Sequence, residues 1–201
     1  MRCAVSQIRI GGTSGQQGTY LLHIRINRDL RLRYRRGARS GATLFPGGDY
    51  VYVGSALGSG ATALPGRLLR HASRSGARPA HRIHGSLLRA LRDAGMAGTD
   101  QPRGAKRRHW HIDYLLDAAG VRLVGVLAVR SPLRLEDDLA SHLQADPECR
   151  IVVAGFGAGD APGATHLFAV PADPVWWDRL GRHATSLPPS PAYSRIAAAC
   201  L

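Results

Sequence analysis

The sequence predicts an α+β protein with a small central antiparallel sheet flanked by helices. Three observations carry this. GTYLLHIRI (residues 18–26) and LRLRY (30–34) alternate apolar and polar residues, the period of a half-buried strand. Leu135, Leu139 and Leu143 recur at the spacing of one helix face, as do Ile83, Leu87, Leu88 and Leu91. Strands come in short runs among the helices, with no repeat and no apolar run near the ~18 residues of a membrane span.

In chain order, residues 1–16 read as an N-terminal extension. Tyr20, Leu22, Ile24 and Ile26 share one face of the first strand, with Leu21, His23 and Arg25 opposite. Asn27, Arg28 and Asp29 signal a turn, so the strand over 30–34 closes a hairpin with the first. LFPGGDYVYVG (44–54) is a turn followed by a strand. A helix runs from Leu64 to Arg74, with Pro65 tolerated in its first turn. A second, around Ile83 to Leu91, stops at Gly95. Residues 97–108 are Gly-, Pro- and Arg-rich and read as an exposed loop, so that 75–106 form one Arg-rich inserted arm. HWHIDYLL (109–116) is a strand or a short helix entry; periodicity does not decide. VRLVGVLAV (121–129) is a buried strand. SPLRLEDDLASHL (131–143) is a helix with Ser131 as N-cap and Pro132 at its first position. RIVVAGF (150–156) and THLFAV (165–170) are short strands. From Pro171 to Leu201 the chain reads as a poorly packed tail.

At 201 residues the chain suits one domain, large enough to bury about 70% of its unfolded surface without covalent staples. Cys3, Cys149 and Cys200 are far apart and show no CxxC pairing, which speaks against a disulfide framework or zinc cluster and fits a reducing cytoplasm. MRCAVSQIRI lacks the apolar core of a signal peptide. The net charge is +13, and residues 1–108 carry 20 of the 27 Lys/Arg but only 4 of the 14 Asp/Glu. A GC-rich coding bias explains Arg over Lys, but not this asymmetry. A polyanionic partner, foremost nucleic acid, is the reading.

The helix from Leu64 is the most informative segment. Arg67, Arg70, His71 and Arg74 fall at i, i+3, i+4 and i+7, on one face. Like charges at this spacing disfavour an isolated helix, and a phosphate across the face would relieve the conflict. The alternative is a solvated basic face. Lys106, Arg107 and Arg108 extend the basic surface. Tyr20 and Tyr52 stand on two strands, Tyr52 two residues before the turn at Gly54 and Ser55. Each alone fits a core or rim position, and a phenol is a weak base unless nearby arginines or a divalent ion stabilise its anion. Glu136, Asp137 and Asp138 diverge by about 100° per residue on a helix, so they cannot share one site. Glu136 stands at the edge of the buried stripe. The alternative is three acids placed favourably at a helix N-terminus. His109 and His111 share one face if HWHID is a strand, but a zinc site would need further ligands that the sequence does not announce. Packing, with hydrogen bonding to Asp113, is the other reading.

The ordered set GTY, PGGDYVYVGSALG, RLLRH, HWHIDYLL, EDDLA, GFG and HLF resembles the GIY-YIG nuclease superfamily, most closely its Uri-type or DUF123 branch, over about residues 17–170. The resemblance implies a catalytic domain with a three-stranded antiparallel core, here extended by further strands, and hydrolysis of DNA phosphodiesters with Mg²⁺ or Mn²⁺. It implies catalytic roles for Tyr20, Tyr52, Arg67 and His71. It makes Glu136 the residue that holds the metal ion, with Asp137 or Asp138 as alternatives of register. Gly18, Gly54, Ser55, His109, His111 and Asp113 fall in supporting motif positions. Arg70, Arg74, Lys106, Arg107 and Arg108 are the expected contacts to nucleic acid backbone. The chain departs from the branch in the 75–106 insertion, in Ala158, Ala161 and Ala164 where the branch has cysteines, and in the tail after Pro171, which has no counterpart in the resemblance. The expected function is a metal-dependent DNA endonuclease. The alternatives are a nucleic-acid-binding module without hydrolytic activity, or a nuclease acting on RNA or on branched or damaged DNA.

Overall fold

The computed structural model describes residues 7–12, 15–34, 41–76, 78–96, 106–157 and 165–187. Eight strands and five α-helices follow in the order β1 (Gln7–Gly12), β2 (Gly18–Ile26), β3 (Leu30–Leu32), β4 (Thr43–Phe45), β5 (Gly48–Ala56), α1 (Leu64–Ala72), α2 (His84–Asp93), α3 (His111–Asp117), β6 (Val121–Arg130), α4 (Glu136–Ala145), β7 (Arg150–Ile151), β8 (Leu167–Val170) and α5 (Pro174–Ser186). The fold is α+β. Six strands form one sheet in the order β1-β6-β2-β5-β8-β7, while β3 and β4 pair separately. Every pairing is antiparallel except β1 with β6.

Side chains alternate across a strand, so the two faces of β2 and β5 enter different cores. Tyr20, Leu22, Ile24, Tyr50 and Tyr52 join the cluster built with α1, α2 and α3. Leu21, Val51 and Val53 join the cluster built with α4 and α5. Among the described residues no helix is long and apolar enough to cross a membrane.

Several expectations are corrected. β2 does not form a hairpin with 30–34; its partners are β5 and β6, and β3 turns away to pair with β4. Alternation sets which face is buried but not which strand lies alongside. Residues 7–12 of the expected extension form an edge strand of the main sheet. The 75–106 arm is not a surface appendage in its described part: Ile83, Leu87, Leu91 and Met96 are buried in the core around α1. Residues 97–105 lie outside the described residues, as do Ala158, Ala161 and Ala164. Ser131 does not cap α4; its hydroxyl accepts from the Leu133 amide at 3.0 Å in a local turn. α4 begins at Glu136, and the Thr19 hydroxyl of β2 accepts the Leu135 amide at 3.2 Å, a tertiary anchor invisible to local sequence. Of RIVVAGF only Arg150 and Ile151 are strand. The chain then turns so that Phe156 packs against Tyr34, Phe45 and His111.

The tail is the largest difference. Its residues 174–186 are α5, with Asp173 accepting the Val175 amide as N-cap and Pro174 in the first turn. Trp176, Leu180 and Ala184 are buried against α4 and the sheet, and Trp176 Nε1 donates to Asp146 at 3.1 Å. The apolar stripe was present in the sequence but masked by flanking prolines. The Trp176→Ala variant is expected to lose about 3–5 kcal/mol of stability in urea unfolding. Unchanged stability would mean that α5 is detached from the fold in solution.

Candidate active site at the sheet end

The site begins with the register of β2 on β5. Tyr20 lies opposite Gly54 and Leu22 opposite Tyr52. Tyr20 and Tyr52 are therefore diagonal neighbours on one face. Gly54 makes room for the first ring: a Cβ there would lie 2.5 Å from the Tyr20 hydroxyl oxygen. Gly18, at the head of β2, pairs with both Ala56 and Arg130.

α1 brings His71 over this face. Its Nε2 lies 2.9 Å from the Tyr20 hydroxyl. Burial pushes His71 down to about 3, with Lys106, Arg67 and Arg70 adding to the effect and Asp113 opposing it. The imidazole is therefore neutral near pH 7. Tyr20 is raised well above the usual phenol value by burial first and by Tyr52 second. The consistent assignment is a Tyr20 O–H donating to His71 Nε2. Tyr52 is likewise raised, by burial and then by Glu136.

Beneath His71 lies a buried charge network. Asp113, near the start of α3, accepts the His109 amide at 2.9 Å, the Trp110 amide at 3.2 Å and Arg70 Nη2 at 2.8 Å. Its other oxygen is 3.9 Å from His71 Nδ1 and 3.5 Å from Lys106 Nζ. Burial alone would raise the Asp113 pKa, but Lys106, His71, the His109 amide and Arg70 outweigh it and hold the carboxyl below its usual range. HWHID is thus the entry to α3. His109 is exposed in the preceding loop, and His111 packs its ring against Tyr34 and Phe156, so no HxH metal pair forms.

The arginine stripe of α1 divides. Arg70 is held by Asp113 and the Arg107 carbonyl, and Arg74 donates to the Val121 carbonyl at 2.6 Å. Lys106, with its side chain 4% exposed, lies against Asp113 and Asp117. These three expected backbone contacts point inward. Arg107 and Arg108 are exposed, though Arg108 stacks over Tyr114 and lies 3.5 Å from Asp117. Arg67 differs: its guanidinium carbon sits 4.0 Å from the Trp110 ring centroid, and its buried Nε has no hydrogen-bond partner among the described residues. It is positioned by stacking, with its N–H groups uncommitted.

Glu136, the first residue of α4, is 7% exposed. The Ser55 hydroxyl donates to its Oε2, Arg134 lies 3.6 Å from the same oxygen, and His166 Nδ1 lies 3.0 Å from Oε1. Burial would raise its pKa, but His166 and Ser55 outweigh burial and keep it below the ordinary glutamate value. Asp137 is exposed and pairs with Arg134 at 3.7 Å, and Asp138 is half-buried; neither has Glu136's contacts to β5 and His166. Among the described residues no group of three or more His, Cys, Asp or Glu could hold a metal ion.

Sequence reasoning missed Thr19, Trp110 and His166. His166 stood in HLF, but a lone histidine before a strand carries no chemical signal until its carboxylate partner is known.

A family profile described as "Domain of unknown function DUF123" matches residues 19–185. The chain belongs to the DUF123 family. The match ends inside α5, so the helix after Pro174 has a counterpart in the family, contrary to the expectation for the tail. Comparison with curated proteins and with solved structures gave no match.

The buried histidines of this DUF123 chain contribute a pH-dependent part of its stability. His81 accepts the Leu123 amide at 3.1 Å and, like His71, is pushed down to about 3, mainly by burial. Both folded pKa values lie below the unfolded 6.5. The unfolded chain therefore takes up protons first, and the stability present above pH 6.5 is lost as pH falls toward 3. Between pH 7.5 and 5.0, urea unfolding is expected to lose about 2 kcal/mol per histidine. His81→Gln should remove its share of that slope, and a flat profile would refute the neutral assignment.

Proposed function

We propose that this DUF123 protein is a metal-dependent endonuclease of the GIY-YIG type that hydrolyses phosphodiesters in DNA. The observation that carries the reading is the convergence of Tyr20, His71, Tyr52, Glu136 and an uncommitted Arg67 at one end of the sheet. A cleft of about 370 Å³, lined by Gln16, Gln17, Gly58, Ser59 and Ser131 among others, opens where β2 begins and β5 ends, beside the five site residues rather than among them. The basic first half of the chain supports a polyanionic substrate.

The chain's own groups account for the proton path. Tyr20 would accept a proton from the attacking water as it passes its own to His71 Nε2, so no free phenolate need form in a buried site. Asp113, facing Nδ1, would stabilise the imidazolium. Arg67, held over the Trp110 ring, would face the charge growing on the phosphoryl oxygens. Tyr52, protonated, would donate to a phosphate oxygen. Glu136 fits Mg²⁺ or Mn²⁺, because it is held ionised and such ions are bound in phosphoryl transfer by one or two carboxylates with water and substrate filling the remaining positions. The ion would supply charge stabilisation at the leaving oxygen.

Supercoiled plasmid and single-stranded oligonucleotide, incubated with Mg²⁺, Mn²⁺ or EDTA, test the reading. Nicking is expected with metal only. Tyr20→Phe, Arg67→Ala and Glu136→Gln should each reduce it by roughly 10²–10⁴-fold while leaving salt-sensitive binding. Tight binding without cleavage of either substrate, or of RNA, would replace this reading with a non-hydrolytic binding module.

A further inference from the structure

His166 is 4% exposed, and its backbone holds it on both sides. Its amide donates to the Phe156 carbonyl and its carbonyl accepts the Val53 amide, each at 2.9 Å. Gly157, at φ +86°, brings the preceding loop close over it: a Cβ there would be 3.2 Å from His166 Cβ and 2.9 Å from Tyr52 Cε2. The backbone that carries the imidazole is thus fixed before any ligand arrives. Its Nδ1 is buried and has no aligned hydrogen bond, although Glu136 Oε1 lies 3.0 Å away. The other carboxylate oxygen is occupied by Ser55, with Arg134 beyond. Oε1 takes no hydrogen bond from any other described residue.

An imidazole nitrogen and a carboxylate oxygen at this separation match the edge of a coordination octahedron, with the cation taking the place of any proton on Nδ1. Bonds of about 2.1 Å at right angles set neighbouring donors about 3.0 Å apart. We propose that His166 Nδ1 and Glu136 Oε1 are two ligands of one divalent cation, with water and substrate in its remaining positions. The nitrogen donor would favour first-row transition dications over Mg²⁺, since imidazole suits the former and all-oxygen shells the latter. The inference rests on the reading of Glu136 as the metal carboxylate. Arg134 stays on the far oxygen, and its side chain, 37% exposed, has room to turn outward as a second cation arrives.

The test uses the full chain loaded with Mn²⁺ and read by pulsed electron paramagnetic resonance. Modulation from a directly coordinated ¹⁴N nucleus is expected. In His166→Gln that modulation should vanish, and Mn²⁺ affinity should fall at least the roughly tenfold that loss of an outer-shell partner costs, with Mg²⁺ affinity, measured by competition, falling less. Mn²⁺ bound without nitrogen coupling in the unmodified chain would overturn the assignment, as would no Mn²⁺ binding or an unchanged Mn²⁺/Mg²⁺ preference in the variant. The unmodified chain gives the first answer whether or not the variant folds. Nitrogen coupling in a protein that cleaves no nucleic acid would sustain this site and count against the nuclease; cleavage without nitrogen coupling would do the reverse.

Discussion

The register of β2 against β5 is the constraint on which the rest of the molecule depends. Tyr20 opposes Gly54, and the residues flanking that pair, Thr19 and Leu21 on β2, point to the other face of the sheet. A slip of one residue would send Tyr20 and Tyr52 to the other face. β2 is also paired along its length with β6, so it is fixed from both sides. Two adjacent residues then serve two layers. Thr19, fully buried, anchors the start of α4 and with it Glu136. Tyr20 points to α1 and meets His71. Strand alternation alone joins helices on opposite faces of the sheet to one site.

The second organising feature is electrostatic. Burying Asp113 and Lys106 without partners would be costly, and the network of Arg70, Lys106, Asp117 and two loop amides offsets that cost. It also joins α1, α3 and the residues leading into α3. The network explains why most of an arginine-rich helix face is committed to partners inside the protein. Arg70 and Arg74 complete internal hydrogen bonds, while Arg67 is held by the ring of Trp110 and keeps its donors. A stripe drawn on a helical wheel treats these positions as equal. The neighbours make them different.

Residue pattern by itself determined the type of β2, β5, β6, β8, α1, α2 and α4 and the leucine stripe of α4, because periodicity reports which side chains leave water; it did not show that β2, read as half-buried, is covered on both faces. The ordered motifs also pointed to Tyr20, Tyr52, Arg67, His71 and Glu136. Only the tertiary structure decided strand partnership, the core role of α2 and α5, the inward turn of Lys106, Arg70 and Arg74, and the meeting of Glu136 with Ser55 and His166. Those depend on contacts between residues far apart in the chain, 81 positions for Ser55 and Glu136. No local propensity encodes such a distance; it is set when the sheet register and helix packing close together.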